Sequence, residues 1–147
     1  MLERIVVGTD GSETATSAVG QAIDLAKAMG AKLYIVSAFV PSEPAVERAE
    51  AVEIPADVQH AVGPRQGVNV ILDAAAGEAE KAGVTAETLA REGDPADALL
   101  DAAEEMNADL IVVGNKGMTG ARRFLLGSVP NNVSHHAPCD VYIARTT

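Results

Sequence analysis

The sequence has no tryptophan, a single cysteine, and only two phenylalanines and two tyrosines among 147 residues. With aromatic side chains so scarce, Ala, Val, Leu and Ile must fill the interior, since apolar residues still make up 48% of the chain. Such small and branched residues suit helices packed closely on a parallel sheet. Cys139 has no second cysteine to pair with, so an internal disulfide is excluded. Basic residues are also few, 11 Lys and Arg against 21 Asp and Glu, for a net charge of −10. That field repels nucleic acid and anionic membrane surfaces, so neither is an expected partner and only a local site could hold an anion. No apolar run approaches the roughly 20 residues of a membrane-spanning helix. The sequence opens on a charged strand pattern instead of an apolar leader, and the expected compartment is the cytoplasm.

What is present is an alternation of short β-type runs with alanine-rich helical stretches. This is the pattern of right-handed βαβ units building one α/β domain over residues 1–147. Five strands are expected. The first is Arg4 to Gly8, and the helix after it carries Ala15, Ala18, Val19, Ala22, Ala26 and Met29 at helical spacing until Gly30 stops it. The second strand is Leu33 to Phe39. A helix spaced by Val68, Ile71, Leu72, Ala75 and Ala79 then ends at Gly83, and the third strand starts at Val84. Thr85, Glu87 and Arg91 give that strand one wet face, so it belongs at the periphery of the sheet. Asp94, Pro95 and Asp97 open the next helix with an acidic cap, a proline at the first position and a first-turn carboxylate. Strand four is Asp109 to Gly114, the last helix spans Ser128 to about His136, and strand five is Val141 to Ala144. The connection from Val40 to Gln66 holds Pro41, Pro44, Pro55 and Pro64 and is expected to be irregular, with at most a short helix near Glu43 to Glu53.

Two turns carry the chemistry. Gly114 closes an apolar strand, Gly117 and Gly120 follow, and Gly127 with Ser128 precedes a helix, so backbone N–H groups can approach an anion closely. From Leu110 to Cys139 there is no Asp or Glu, while Lys116, Arg122 and Arg123 supply cations. By contrast, Glu87 to Asp109 holds eight acids against Arg91 alone. The loop is not a Walker A motif, because no lysine is followed by Ser or Thr, and no GxGxxG follows the first strand as a Rossmann fold would have it. The first strand ends instead in Gly8, Thr9, Asp10, Gly11 and Ser12, a turn that places a carboxylate and hydroxyls at the end of the sheet. Asp10 can accept hydrogen bonds from a base or sugar, or can cap the first helix. Both turns face one crevice if strands one and four are neighbours.

The strand ending in Gly8-Thr9-Asp10-Gly11-Ser12, together with Gly114, Gly117, nine residues and Gly127-Ser128, resembles the universal stress protein family over the whole chain. The GxxG, nine residues, G[ST] spacing is similar to that of its ATP-binding branch. The resemblance implies an adenine nucleotide alpha hydrolase-like fold, an open parallel sheet in the order 3-2-1-4-5 with helices on both faces. It further implies ATP or AMP in the crevice, with Mg or Mn accompanying a triphosphate, and a homodimer formed through the C-terminal strand. Carried over by position, Thr9 and Asp10 lie near adenine and ribose, Ala38 lines the base pocket and Val113 sits beneath it. Gly114, Gly117, Gly127, Ser128 and Val129 surround ribose and phosphates. Where many relatives have a polar residue after Ser128-Val129, this chain has Pro130, which removes a backbone donor from a triphosphate.

Ser128 can cap the last helix or contact phosphate. Its neighbours Lys116, Arg122 and Arg123 can screen phosphate charge or simply face water. His135, His136 and Cys139 do not make a metal site, because adjacent histidines point to different helix faces and Pro138 breaks the spacing to the thiol. No hydroxyl nucleophile has a histidine and carboxylate placed to activate it, so no catalytic residue is assigned. Strand five, with Val141, Tyr142 and Ile143, is expected at an edge that a second copy covers, the alternative being cover by the chain terminus. The leading expectation is a nucleotide-binding stress-response regulator that acts on a protein partner. The alternatives are a slow metal-dependent ATP hydrolase, with Asp10 contacting the metal through water, and a nucleotide-free dimeric interaction protein.

Overall fold

Ile5, Val6 and Val7 have no solvent exposure on either side, because β1 (Arg4–Gly8) is the middle strand of a sheet covered by helices on both faces. The computed structural model describes residues 2–39, 64–115 and 128–146. Along them follow α1 (Glu13–Met29), β2 (Lys32–Phe39), α2 (Pro64–Lys81), β3 (Ala86–Glu92), α3 (Pro95–Glu105), β4 (Leu110–Gly114), α4 (Ser128–His136) and β5 (Asp140–Ala144). The five strands are parallel in the order β3-β2-β1-β4-β5, the order expected from the resemblance. Val7 pairs with Ile35 on one side and Val112 on the other.

Alternate residues of each strand divide the core. Ile5, Val7, Leu33, Ile35 and Val112 pack under α1 and α2 with Ala18, Ala22, Ala26, Val68 and Leu72. Val6, Tyr34, Val36, Ile111 and Val113 pack under α3 and α4 with Leu99, Ala102, Ala103 and Val133. Alanine dominates the helix side of both layers, so α1 and α3 lie close to the sheet. Among the described residues, Ser37 Oγ is the buried side-chain polar atom without a hydrogen-bond partner. Among them, too, no helix is long and apolar enough to cross a membrane.

Several expected boundaries move. The third strand starts at Ala86 instead of Val84, because the N–H groups of Gly83 and Val84 donate to Glu80 O and Ala79 O and close the end of α2. α2 starts at Pro64, inside the segment expected to be irregular, since the missing N–H of a proline costs nothing in the first turn. Most of that segment, with the short helix considered near Glu43 to Glu53, lies outside the described residues. Met29 does not join the buried stripe of α1 and is 47% exposed. The chain reverses at Gly30, where the N–H donates to Ala26 O, and Ala31 takes the core position in its place. Asp109 precedes β4 instead of opening it. Its own N–H bonds to Arg4 O, and its carboxylate accepts the N–H groups of Glu3 and Arg4 at 2.9 and 3.0 Å.

Candidate functional site

At the carboxyl end of β1 the chain must leave the sheet and start α1 within a few residues, and it does so by side-chain bonds to its own backbone. Thr9 N–H donates to Val36 O, which holds the turn to β2. Thr9 Oγ1 accepts from Gly11 N–H at 3.1 Å, and Asp10 Oδ1 accepts from Ser12 N–H at 2.9 Å. Gly11 has φ +81°, a left-handed conformation that a side chain would strain. Ser12, and not Asp10, caps α1, with Ser12 Oγ accepting from Ala15 N–H at 3.2 Å. Asp10 is therefore free of the capping role, and its second carboxylate oxygen has no partner among the described residues.

This turn opens into a crevice with about 520 Å³ of empty space, counting its open mouth. Strand ends supply Gly8, Val36, Ala38, Val113 and Gly114, and the turn supplies Thr9 and Asp10. The walls come from the N-terminal parts of helices: Thr14 and Ala15 of α1, Pro95 and Leu99 of α3, Val129 and Pro130 of α4. The crevice lies at the point where the chain winds from β1 outward in both directions, the place where open parallel sheets bind ligands.

Six of the expected site residues, Thr9, Asp10, Ala38, Val113, Gly114 and Val129, line this crevice. Ser128 is exposed as the first residue of α4 and sits beside Val129 without lining the crevice. Gly117 and Gly127, with Lys116, Arg122 and Arg123, lie outside the described residues. Sequence reasoning did not include Gly8, Thr14, Ala15, Val36, Pro95, Leu99 or Pro130 among the site residues. Pro95 was read only as a helix start, yet the right-handed crossover from β3 brings that start back over β1 and β2.

The three helix starts are not equivalent. A helix N-terminus carries about half a positive charge, which nearby carboxylates offset. Glu13 lies in the first turn of α1. Asp94 caps α3, accepting from the N–H groups of Ala96 and Asp97 at 3.0 and 3.2 Å, and Asp97 adds a second carboxylate. α4 has no acid in its first turn and none anywhere from Leu110 to Cys139. Of the three, the start of α4 is the one with no acid in its own first turn. Asp10 is the one carboxylate among the described lining residues.

Groups with displaced pKa values sit elsewhere. Hydrogen bonds from the Glu3 and Arg4 N–H groups hold the Asp109 carboxyl below the usual carboxylate range. Burial, with Asp140 and Asp109 nearby, pushes the Cys139 thiol up. His135 and His136 are exposed, with ring centroids 6.5 Å apart and planes tilted by 59°. Among the described residues no group of three or more His, Cys, Asp and Glu could hold a metal ion.

A model of the Universal stress protein family matches residues 1–145. Universal stress protein Rv1636 of Mycobacterium tuberculosis (strain H37Rv) is 43% identical over 144 residues, covering 97% of this chain and 96% of that protein. Universal stress protein YxiE of Bacillus subtilis (strain 168) is 34% identical over 151 residues, covering 99% of this chain and all of that protein. Among solved structures, a universal stress protein in complex with cAMP superposes with a TM-score of 0.74 at 37% identity, covering 99% of both chains. With a family model matched over residues 1–145 and relatives similar from end to end, the chain belongs to the universal stress protein family.

Proposed function

We propose that the crevice binds an adenine nucleotide and that the protein acts as a nucleotide-responsive regulator in a stress response. The observation that carries this reading is the meeting, in one crevice, of an apolar slot and a helix start with no acid in its own first turn. Val36 and Ala38 of β2 and Pro95 and Leu99 of α3 line the slot, an apolar chemistry suited to a purine. Asp10 Oδ2 is the acceptor for a ribose hydroxyl. Phosphate lies toward α4, where the N–H groups of Ser128 and Val129 supply donors. The relative solved with cAMP supports an adenine nucleotide here.

Pro130 is buried and lines the crevice, so it offers the ligand a ring and no N–H. A triphosphate therefore has one donor fewer than a helix start without proline would give it. A magnesium or manganese ion arriving with ATP would be held chiefly by phosphate oxygens, since one carboxylate is too few for a protein-held site. The protein is proposed to work in the cytoplasm as a homodimer joined along β5, where Tyr142 and Ile143 are each 40% exposed.

The test is direct. Freshly purified protein is denatured and its supernatant chromatographed for adenine nucleotides, and titration calorimetry then measures ATP, AMP and cAMP. Binding that Asp10→Ala and a bulky residue at Gly117 both weaken is the expected result. No released nucleotide and no heat with any of the three ligands would overturn the reading.

A further inference from the structure

A Cβ built on Gly8 would stand 2.9 Å from Leu99 Cδ1, 3.0 Å from Leu99 Cδ2 and 3.2 Å from Leu99 Cγ. The isobutyl group of Leu99 thus rests on the bare backbone of β1, in space that a side chain at position 8 would need. Leu99 is 4% exposed and belongs to the core cluster that holds Val6, Val36, Ala102 and Ala103. Both Gly8 and Leu99 line the crevice. The crevice is therefore an open side toward which Leu99 can yield.

From this we infer that Gly8 and Leu99 form a reciprocal pair that sets the depth of the slot and hence the size of base it accepts. The inference rests on the nucleotide reading and deepens it. Because position 8 has no side chain, Leu99 can sink against the strand and leave room for an unsubstituted purine. With a methyl group at position 8, Leu99 is displaced toward the ligand and the slot becomes shallower. Shortening Leu99 does the reverse and opens space beneath the base. The two changes act on the same volume, so their effects on binding cannot be additive.

Four proteins test this: wild type, Gly8→Ala, Leu99→Ala and the double variant, each confirmed folded by circular dichroism and a thermal melt. Leu99→Val takes the place of Leu99→Ala should the larger truncation not fold. Calorimetry measures AMP and two enlarged analogues, N6-benzyl-AMP and 2-phenyl-AMP. Gly8→Ala is expected to weaken AMP by about tenfold, the scale of a misplaced methyl group in an apolar pocket. Leu99→Ala is expected to gain at least about tenfold for one analogue relative to wild type. The double variant is expected to recover AMP binding to within about threefold of wild type, the sign of a shared volume. AMP binding that is equal in all four, or a double variant weaker than both single ones, overturns the inference alone. Failure of wild type to bind AMP overturns the nucleotide reading and this inference with it.

Discussion

Asn115 and Thr146 are joined twice through one oxygen: Asn115 Oδ1 accepts both the N–H and the Oγ1–H of Thr146, each at 3.0 Å. Asn115 N–H in turn donates to Ala144 O at 2.9 Å. The residue that follows β4, and starts the glycine-rich loop, is thereby tied to the last residue of β5 and to Thr146 beyond it. Asn115→Ala removes the shared acceptor and is expected to lower stability by ~1–2 kcal/mol, whereas Thr146→Val removes one donor and costs ~1 kcal/mol or less. Urea denaturation compares them. Equal midpoints for both variants and wild type would show that the clasp contributes nothing.

At the opposite end of the sheet, Asp109 makes folding sensitive to acid. Its carboxyl pKa is lowered by the Glu3 and Arg4 N–H bonds, so the folded protein prefers the charged form. The stabilisation is fully present above the ordinary carboxylate pKa and is lost as pH falls through the lowered folded value. Urea midpoints measured from pH 6 downward are expected to fall with acid, and Asp109→Asn is expected to flatten part of that fall. An unchanged slope in the variant would remove Asp109 from the account.

Asp94 is expected to oppose two properties of the protein. Asp94→Ala loses a cap with two hydrogen bonds and should cost ~1 kcal/mol. Asp94→Ser keeps a capping oxygen but removes a negative charge adjacent to Pro95 at the crevice wall, so it should tighten nucleotide with little change in stability. Calorimetry at low and high salt checks this, because the gain should shrink as ions screen it.

Ser37 is 2% exposed and its hydroxyl has no partner among the described residues. Removing an unpaired buried polar atom need not cost stability. Ser37→Ala is expected to leave the urea midpoint unchanged or raise stability by up to ~1 kcal/mol. A loss larger than that would reveal a bond to this hydroxyl.

Cys139 should be a slow thiol. Burial, then Asp140 and Asp109, all disfavour its thiolate. Reaction with an aromatic disulfide at pH 8 is expected to be slower than that of a free cysteine, and Asp140→Asn should speed it. A rate equal to that of the free amino acid would contradict the burial.

The sheet was legible because its signals are local and agree. Unbroken apolar runs at Ile5 to Val7 and Leu110 to Val113 mark strands buried on both faces, and mixed runs such as Thr85 to Arg91 mark an edge. Asp94, Pro95 and Asp97 marked a helix start within one residue of its place. The crevice was legible only where a turn carried its own chemistry, as Thr9, Asp10 and Gly114 do. Leu99 and Val36 carry none and read as ordinary core residues. Their place in the crevice depends on how α3 lies across β1 and β2, which no spacing within either element records. Met29 has the right period for the core and misses it, because the reversal at Gly30 substitutes Ala31.

The two edges of the sheet differ in kind, and this limits how copies of the chain can assemble. β3 carries Glu87, Arg91 and Glu92, and Glu87 and Arg91 are engaged by Lys32 and Glu105. β5 shows Tyr142 and Ile143 to solvent. Charge on one outer strand discourages a neighbouring chain from continuing the hydrogen-bond ladder there, while the other outer strand carries one charged residue, Asp140 at its start. A sheet that can be extended from one end alone has no way to grow into a fibre. Were two copies to meet through β5, each would use up the outer strand that lacks the ion pairs of β3, and association along the sheet would close at a pair.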